Sequence, residues 1–391
     1  MLTTGFKALK NPLDKDYSLV SGLYIHIPFC RSKCAYCDFY SVGAGALDAE
    51  LFADALHREL LSRVDGFPHP FDTVYIGGGT PSVLPAGALK RIIEMANVYV
   101  AEGAEFTVEV NPDDVTPELA TLLVDGGVNR VSMGVQSLVD SELSAISRRH
   151  DARGAVRAIA TLRDAGINNI SCDLIYGLPG QTADSFRYSV VKLIELKPEH
   201  ISAYLLSYEP GTRLTRYVRE GKIIPASDAE AENYYHILCG LAAEAGYIHY
   251  EISNFALPGL HSRHNSSYWN PANPYLGIGP SAHSFDGCSH RQANVASIRS
   301  YIAAPDVAAD PELTENLTDL QRFNEKLMLG LRTLRGVDVS ALDSRLAGRM
   351  MKQAQRWIDS GNLCVADGTR LVIPESSWLI ADSILSDLFV D

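Results

Sequence analysis

Six short runs rich in β-branched and aromatic residues alternate with amphipathic stretches through residue 204. No other feature of the sequence limits the fold as much. The runs occupy 23–27, 73–76, 106–110, 130–135, 170–175 and 200–204, and helical spacing marks 48–64, 86–98, 117–125, 152–164 and 185–196 between them. Alternation of this kind predicts parallel βαβ units. Six repeats over about 190 residues predict an α/β fold built on a partial (βα)6 TIM-like barrel, short of the full eightfold closure. Barrel chemistry gathers at the C-terminal ends of the strands. Cys30, the glycine run ending at Thr80, Glu109, Gln136 and Asp173 all fall at those ends.

Beyond the barrel a helix is expected over 229–245 and a β-like run over 247–252. Residues 254–287, rich in Asn, Ser, Pro and Gly, are expected to form a long loop, a length that usually signals function or disorder. A break at 303–311 reads as a linker. Helices over 319–331, 344–360 and 378–388, with a hairpin of 363–365 and 371–373 turning at Asp367-Gly368, predict a small winged-helix-like module. The expected division is an N-terminal extension (1–21), the barrel (22–250), a loop region and linker (251–305) and a C-terminal α-rich domain (306–391).

Charge narrows the partners. The 391 residues carry 34 basic and 47 acidic side chains, a net charge of −13, which argues against a nucleic-acid surface. No apolar stretch approaches the roughly 20 residues of a membrane span, and the first 18 residues hold no secretory core. Of the seven cysteines, three cluster and four are scattered, a usage that fits a cytoplasmic protein with metal or catalytic thiols rather than disulfides. Cys172, Cys239 and Cys364 are expected in the core; Cys288, beside the long loop, is the scattered cysteine best placed to meet a ligand.

The cluster is Cys30, Cys34 and Cys37. Three thiolates at this spacing can hold an iron–sulfur cluster and leave one iron open to an exchangeable ligand. A structural zinc site with His26 as fourth ligand is the alternative, though zinc sites prefer a second distant pair. The run Gly77-Gly-Gly-Thr-Pro-Ser82 follows a strand, where glycines let a ligand approach the backbone. Glu109, Gln136, Arg148 and Asp173 recur along the same rim; a carboxylate can grip ribose hydroxyls, and an arginine can pair with a ligand carboxylate.

The run Tyr24 to Phe39, with Gly77-Gly-Gly-Thr-Pro81 and Asp173-Leu-Ile-Tyr-Gly-Leu-Pro179, resembles the radical S-adenosylmethionine superfamily. Within it, the chain is similar to the HemN/HemW branch of oxygen-independent coproporphyrinogen III oxidases and haem chaperones, from about residue 22 to the C-terminus. The resemblance implies a 4Fe–4S cluster on Cys30, Cys34 and Cys37. It implies S-adenosylmethionine contacts from Tyr24, Tyr36, Gly78, Gly79, Thr80, Glu109, Gln136, Arg148 and Asp173, with weaker matches at Ser207 and His283.

Phe39 stands where the oxidase pattern has a further cysteine, and the chain reaches its cysteine loop without the oxidase's longer N-terminal extension. Both departures match the chaperone. His264-Asn-Ser-Ser-Tyr-Trp269 is similar to the chaperone's haem motif. By that likeness His264 is an axial ligand of haem iron, and Tyr268 and Trp269 offer flat faces to the porphyrin. The implied function is a haem chaperone that delivers haem to acceptor proteins such as membrane-bound respiratory enzymes. In it the cluster and S-adenosylmethionine would support transfer or a homodimer, and no catalytic residue is assigned. A coproporphyrinogen III dehydrogenase acting through a 5′-deoxyadenosyl radical is the second reading, and a radical enzyme with an unrelated substrate the third.

Overall fold

The computed structural model describes residues 19–45 and 48–391; the expected N-terminal extension, through residue 18, lies outside them. The six expected strands are present as β1 (Gly22–Ile27), β2 (Phe71–Gly78), β3 (Val100–Val110), β4 (Arg130–Gln136), β5 (Ile170–Tyr176) and β6 (His200–Leu205). Each pairs in parallel with the next. The longer helices between them are α1 (Ala49–Arg63), α2 (Ala86–Asn97), α3 (Pro117–Asp125), α4 (Ala152–Asp164) and α5 (Ala183–Glu195). Their starts are encoded locally. Asp48 caps α1 on the amides of Glu50 and Leu51, Thr116 precedes Pro117 at α3, and Thr182 and Ser185 form a capping box at α5.

Parallel strands covered on both faces usually read as unbroken apolar runs. These alternate. Leu23, Ile25 and Ile27 of β1, Val74 and Ile76 of β2, Phe106 and Val108 of β3, and Val131 and Met133 of β4 join the core beneath the helices. The intervening residues, among them Glu109 of β3, Ser132 of β4 and, between Cys172 and Leu174 of β5, Asp173, are polar. The sheet therefore has one face built for packing and one for a polar lumen.

After α6 (Asp228–Glu244) come β7 (Ile248–Glu251) and β8 (Asn254–Ala256), which pair antiparallel at the β6 edge. The long loop expected over 254–287 is not a loop. It contains β8, a six-residue helix α7 (Arg263–Tyr268), β9 (Tyr275–Ile278) and β10 (His283–Phe285). Each element is too short to show a period, and Asn and Ser inside them, such as Asn265, Ser266 and Ser267 of α7 and Ser284 of β10, give the segment the composition of a loop. β9 adds a seventh parallel strand beside β1. β10, β11 (His290–Ala293) and β12 (Glu315–Asn316) extend that edge antiparallel. The twelve-stranded sheet runs β12-β11-β10-β9-β1-β2-β3-β4-β5-β6-β8-β7, an open, partial barrel with mixed edges. The 303–311 break is no free linker either: Asn294 and Ala309 form a β-bridge, and Ala308 is buried in the barrel core.

The C-terminal helices are α8 (Asp319–Gly330), α9 (Ser344–Asp359) and α10 (Ala381–Leu388). A strand β13 (Val337–Asp338) joins the hairpin β14 (Cys364–Ala366) and β15 (Arg370–Val372). Asp367 and Gly368 both have positive φ, 49° and 79°, in the three-residue loop between the paired Ala366 and Arg370. This module has its own core around Leu327, Met350, Leu371 and Trp378. Among the scattered cysteines, Cys172 is fully buried as expected, whereas Cys239 and Cys364 are only half-buried and Cys288 is exposed.

Candidate functional site

The C-terminal strand ends open into a cavity of about 450 Å3, and Cys30, Cys34 and Cys37 all line it. None is in a disulfide. The cysteine loop is held by the main chain: Ala35 N–H donates to the Ile146 carbonyl at 3.0 Å, and Leu214 N–H donates to the Ala35 carbonyl at 2.9 Å. Phe29–Cys30 also pairs in parallel with Val42–Gly43. The Thr80 hydroxyl lies 3.6 Å from Cys30 Sγ. Phe39, at the mouth, is 63% exposed.

Tyr36, Gly78, Gly79, Thr80, Glu109, Gln136, Arg148, Asp173 and Ser207 line the same cavity. A Cβ on Gly79 would stand 2.7 Å from the carbonyl oxygens of both Ile27 and Phe29, so only glycine lets the strand end approach the cysteine loop. Gly78 has φ +106°, and its N–H donates to Glu109 Oε2 at 2.9 Å. The Tyr75 hydroxyl donates to Glu109 Oε1 at 2.8 Å. Gln136 closes β4 at φ 65° beside a register shift against β5. A left-handed non-glycine residue costs about 1–3 kcal/mol and clusters at functional sites. Arg148 donates to the Gly134 carbonyl, and its Nη1 lies 3.5 Å from Cys34 Sγ.

Burial pushes the Glu109 carboxyl up to about 7, against the hydrogen bond from Tyr75, and lifts Asp173 to about 6, against hydrogen bonds from Ser202 and Ser132. Arg130, 1% exposed, favours the ionised form of both carboxylates. Its three guanidinium nitrogens have no hydrogen-bond partner among the described residues.

Tyr24 does not line the cavity. It lies below, its hydroxyl 3.0 Å from His26 Nδ1 and its ring near Tyr75 and His264. His283, on β10, is exposed and outside the cavity lining. Sequence reasoning missed Tyr75, Ser132, Ser202 and Tyr204, which also line the cavity; the two-residue spacing of Tyr75 from Gly77 and of Ser132 from Gly134 was an available signal, whereas Ser202 is placed by its pairing with Asp173 across β5 and β6. Asn265 of α7 lines it too and carried no such signal.

His264 is not offered to solvent. It is 1% exposed, with Nδ1 2.9 Å from Thr73 Oγ1 and Nε2 2.9 Å from the Tyr268 hydroxyl. Its ring stacks on Tyr75 with centroids 5.1 Å apart. Burial pushes its pKa down to about 3. Glu105 of β3 takes the main-chain N–H groups of Arg263 and His264 at 2.8 and 2.9 Å, a carboxylate on the helix N-terminus that seats α7 in the barrel. Trp269 lies elsewhere, lining a cavity of about 240 Å3 shared with Lys326, Asp338 and Leu342 of the C-terminal module. The structure thus separates the expected haem residues: His264 and Tyr268 are in contact inside the barrel, and Trp269 faces the module.

The cavity's donor set fits an iron–sulfur cluster and S-adenosylmethionine. Three free thiols share one cavity, and the buried Nε of Arg148 has no hydrogen-bond partner. The cavity lies within the roughly 300–1,000 Å3 range of small-molecule sites. An open α/β barrel with three thiols of this spacing at its strand ends defines a radical S-adenosylmethionine protein, and residues 24–191 match the Radical SAM superfamily. The "Heme chaperone HemW" of Bacillus subtilis is 36% identical over 323 residues, 80% of this chain and 84% of the relative. That of Lactococcus lactis is 38% identical over 329 residues, 82% of this chain and 84% of the relative. The chain belongs to this HemW family of radical SAM proteins. The solved coproporphyrinogen III oxidase HemN of Escherichia coli superposes with a TM-score of 0.81 over 99% of this chain and 94% of that one. At 22% identity that likeness speaks to fold alone.

Proposed function

We propose that this chain is a haem chaperone that binds haem, a 4Fe–4S cluster and S-adenosylmethionine and passes haem to acceptor proteins. The observation that carries the reading is a chain of contacts: His264 of the haem motif stacks on Tyr75, and Tyr75 holds Glu109 at the glycine turn. Occupancy of the barrel cavity and the posture of the haem motif would thereby be coupled.

Cys30, Cys34 and Cys37 would hold the cluster. Arg148 would hold the carboxylate of S-adenosylmethionine, Glu109 and Asp173 would accept from its hydroxyls, and the Gly78–Thr80 turn would offer its main chain. The cluster, when bound, supplies one-electron chemistry at a sulfonium. Haem ligation by His264 requires α7 to leave the barrel, because both imidazole nitrogens are engaged where it sits. Trp269, already at a cavity mouth, would receive the porphyrin's edge.

Haem titration of the cluster-reconstituted protein tests this reading. His264→Ala should weaken haem binding and alter the Soret band; binding as tight as wild type with an unchanged band removes His264 as ligand. Anaerobic incubation with coproporphyrinogen III and a reductant should yield no protoporphyrinogen. Turnover there would establish the oxidase reading instead.

A further inference from the structure

Three metal-ligating side chains converge away from the barrel cavity, where the barrel meets the C-terminal module. Cys239 stands on α6, His249 on β7, and Glu375 on the 3-10 turn Glu375–Ile380 that leads into α10. One ligand atom from each lies within 4.8 Å of the others. Cys239 Sγ is 3.8 Å and Glu375 Oε1 is 2.8 Å from the same ring nitrogen, His249 Nδ1.

Convergence on one nitrogen decides between two chemistries. A nucleophile–base–carboxylate relay places the thiol and the carboxylate on opposite nitrogens of the imidazole. Here the other nitrogen, Nε2, faces the Ile252 carbonyl at 3.4 Å. In the metal-free chain Nδ1–H donates to Glu375 Oε1; with the proton on Nε2 instead, towards that carbonyl, the Nδ1 lone pair would be turned towards a sulfur and a carboxylate. Metal-bound histidines are oriented in this way, donating their second N–H to a main-chain carbonyl. A metal ion taking the place of the Nδ1 and thiol protons would draw all three donors onto one centre.

The ring cannot easily turn away. It is buried, stacked on Phe255 with centroids 3.9 Å apart at 14°, and meets the edge of Trp378 at 4.4 Å. The Glu375 side chain is 47% exposed, which gives an ion a way in.

We propose that Cys239, His249 and Glu375 form a zinc site, separate from the cysteine loop, that ties the C-terminal module to the barrel. A thiolate, an imidazole and a carboxylate suit Zn2+, with ligand distances of about 2.0–2.3 Å. The observed separations need only small movements to reach them. A water would complete the tetrahedron.

The test uses the full chain with its iron–sulfur cluster reconstituted anaerobically, cleared of loose metal and dialysed against Zn2+, with zinc counted by mass spectrometry. Wild type should retain one zinc per chain, and Cys239→Ser and Glu375→Gln should bind it at least about tenfold more weakly. A second protein, Cys30→Ser/Cys34→Ser/Cys37→Ser, should also keep one zinc, and added zinc should raise its thermal midpoint. No retained zinc in wild type overturns the site. So does undiminished binding in both single variants, or loss of the zinc in the triple variant.

Discussion

Arg148 Nη1 lies 3.5 Å from Cys34 Sγ, which sets a fixed cation beside one of the three thiols at the cavity wall. Gly134 makes room for it: a Cβ there would meet Arg148 Nη2 at 3.1 Å and Gln136 Nε2 at 2.7 Å. Arg148→Ala should still assemble a cluster but bind S-adenosylmethionine roughly 10–100-fold more weakly, the loss of one charge-assisted contact of about 1.5–3 kcal/mol. Equilibrium dialysis with the reconstituted protein measures it. Unchanged affinity would remove Arg148 from the ligand's contacts.

The buried carboxylates give that affinity a pH dependence of definite sign. Glu109 is lifted to about 7 and Asp173 to about 6, so both take up protons in the free protein as pH falls from 7.5 to 5.5. A ligand whose hydroxyls donate to the ionised carboxylates must displace those protons. Affinity for S-adenosylmethionine should therefore fall by at least roughly tenfold over that range. The fall should shrink in Glu109→Gln, which has no proton to lose. A flat profile in wild type would contradict the assignment of both residues.

His264 should stay neutral far below the usual histidine range, because burial holds its pKa near about 3. In the haem-free protein its ring resonances should not move between pH 8 and pH 5. Titration near the unperturbed value of about 6.5 would mean that α7 does not rest in the barrel.

Glu59 is wholly buried on α1 and gathers four donors. Arg63 bonds one oxygen, and Gly279 N–H at 2.8 Å, Asn294 at 2.7 Å and Tyr301 at 2.6 Å complete the set. The carboxylate thus ties α1 to β9 and the segment after it. Glu59→Ala should cost about 3–5 kcal/mol by leaving the Arg63 charge uncompensated, read as a lower urea midpoint. A loss under about 1 kcal/mol would show that the network is solvated.

What the sequence disclosed, and what it hid, follows from range and length. The six barrel strands and their helices were legible because each is long enough to show its period, and their caps lie within three residues of each helix start. The cysteine loop, the glycine turn, Glu109 and Asp173 could be placed on one rim by the rule that chemistry gathers at strand ends. The segment from Asn254 to Gly287 was misread because its strands and helix run three to six residues. Their pairing with β1 and β6 depends on residues far off in sequence. His264 looked like an available ligand because only the tertiary fold brings Thr73 and Tyr75 against it. Cys239 and Cys364 were expected in the core because apolar neighbours in sequence do not decide which face of an element is covered. The group of Cys239, His249 and Glu375 spans 126 residues between its last two members, with no spacing motif to announce it.

Iron and acid-labile sulfide analysis after anaerobic reconstitution, followed by electron paramagnetic resonance of the reduced protein with and without S-adenosylmethionine, bears most directly on the account. It should give about four irons and four sulfides per chain, and a cluster signal that changes when S-adenosylmethionine is added. Zinc at the cysteine loop in place of iron, or a signal indifferent to the ligand, would contradict the reading of Cys30, Cys34 and Cys37 on which the proposed function stands.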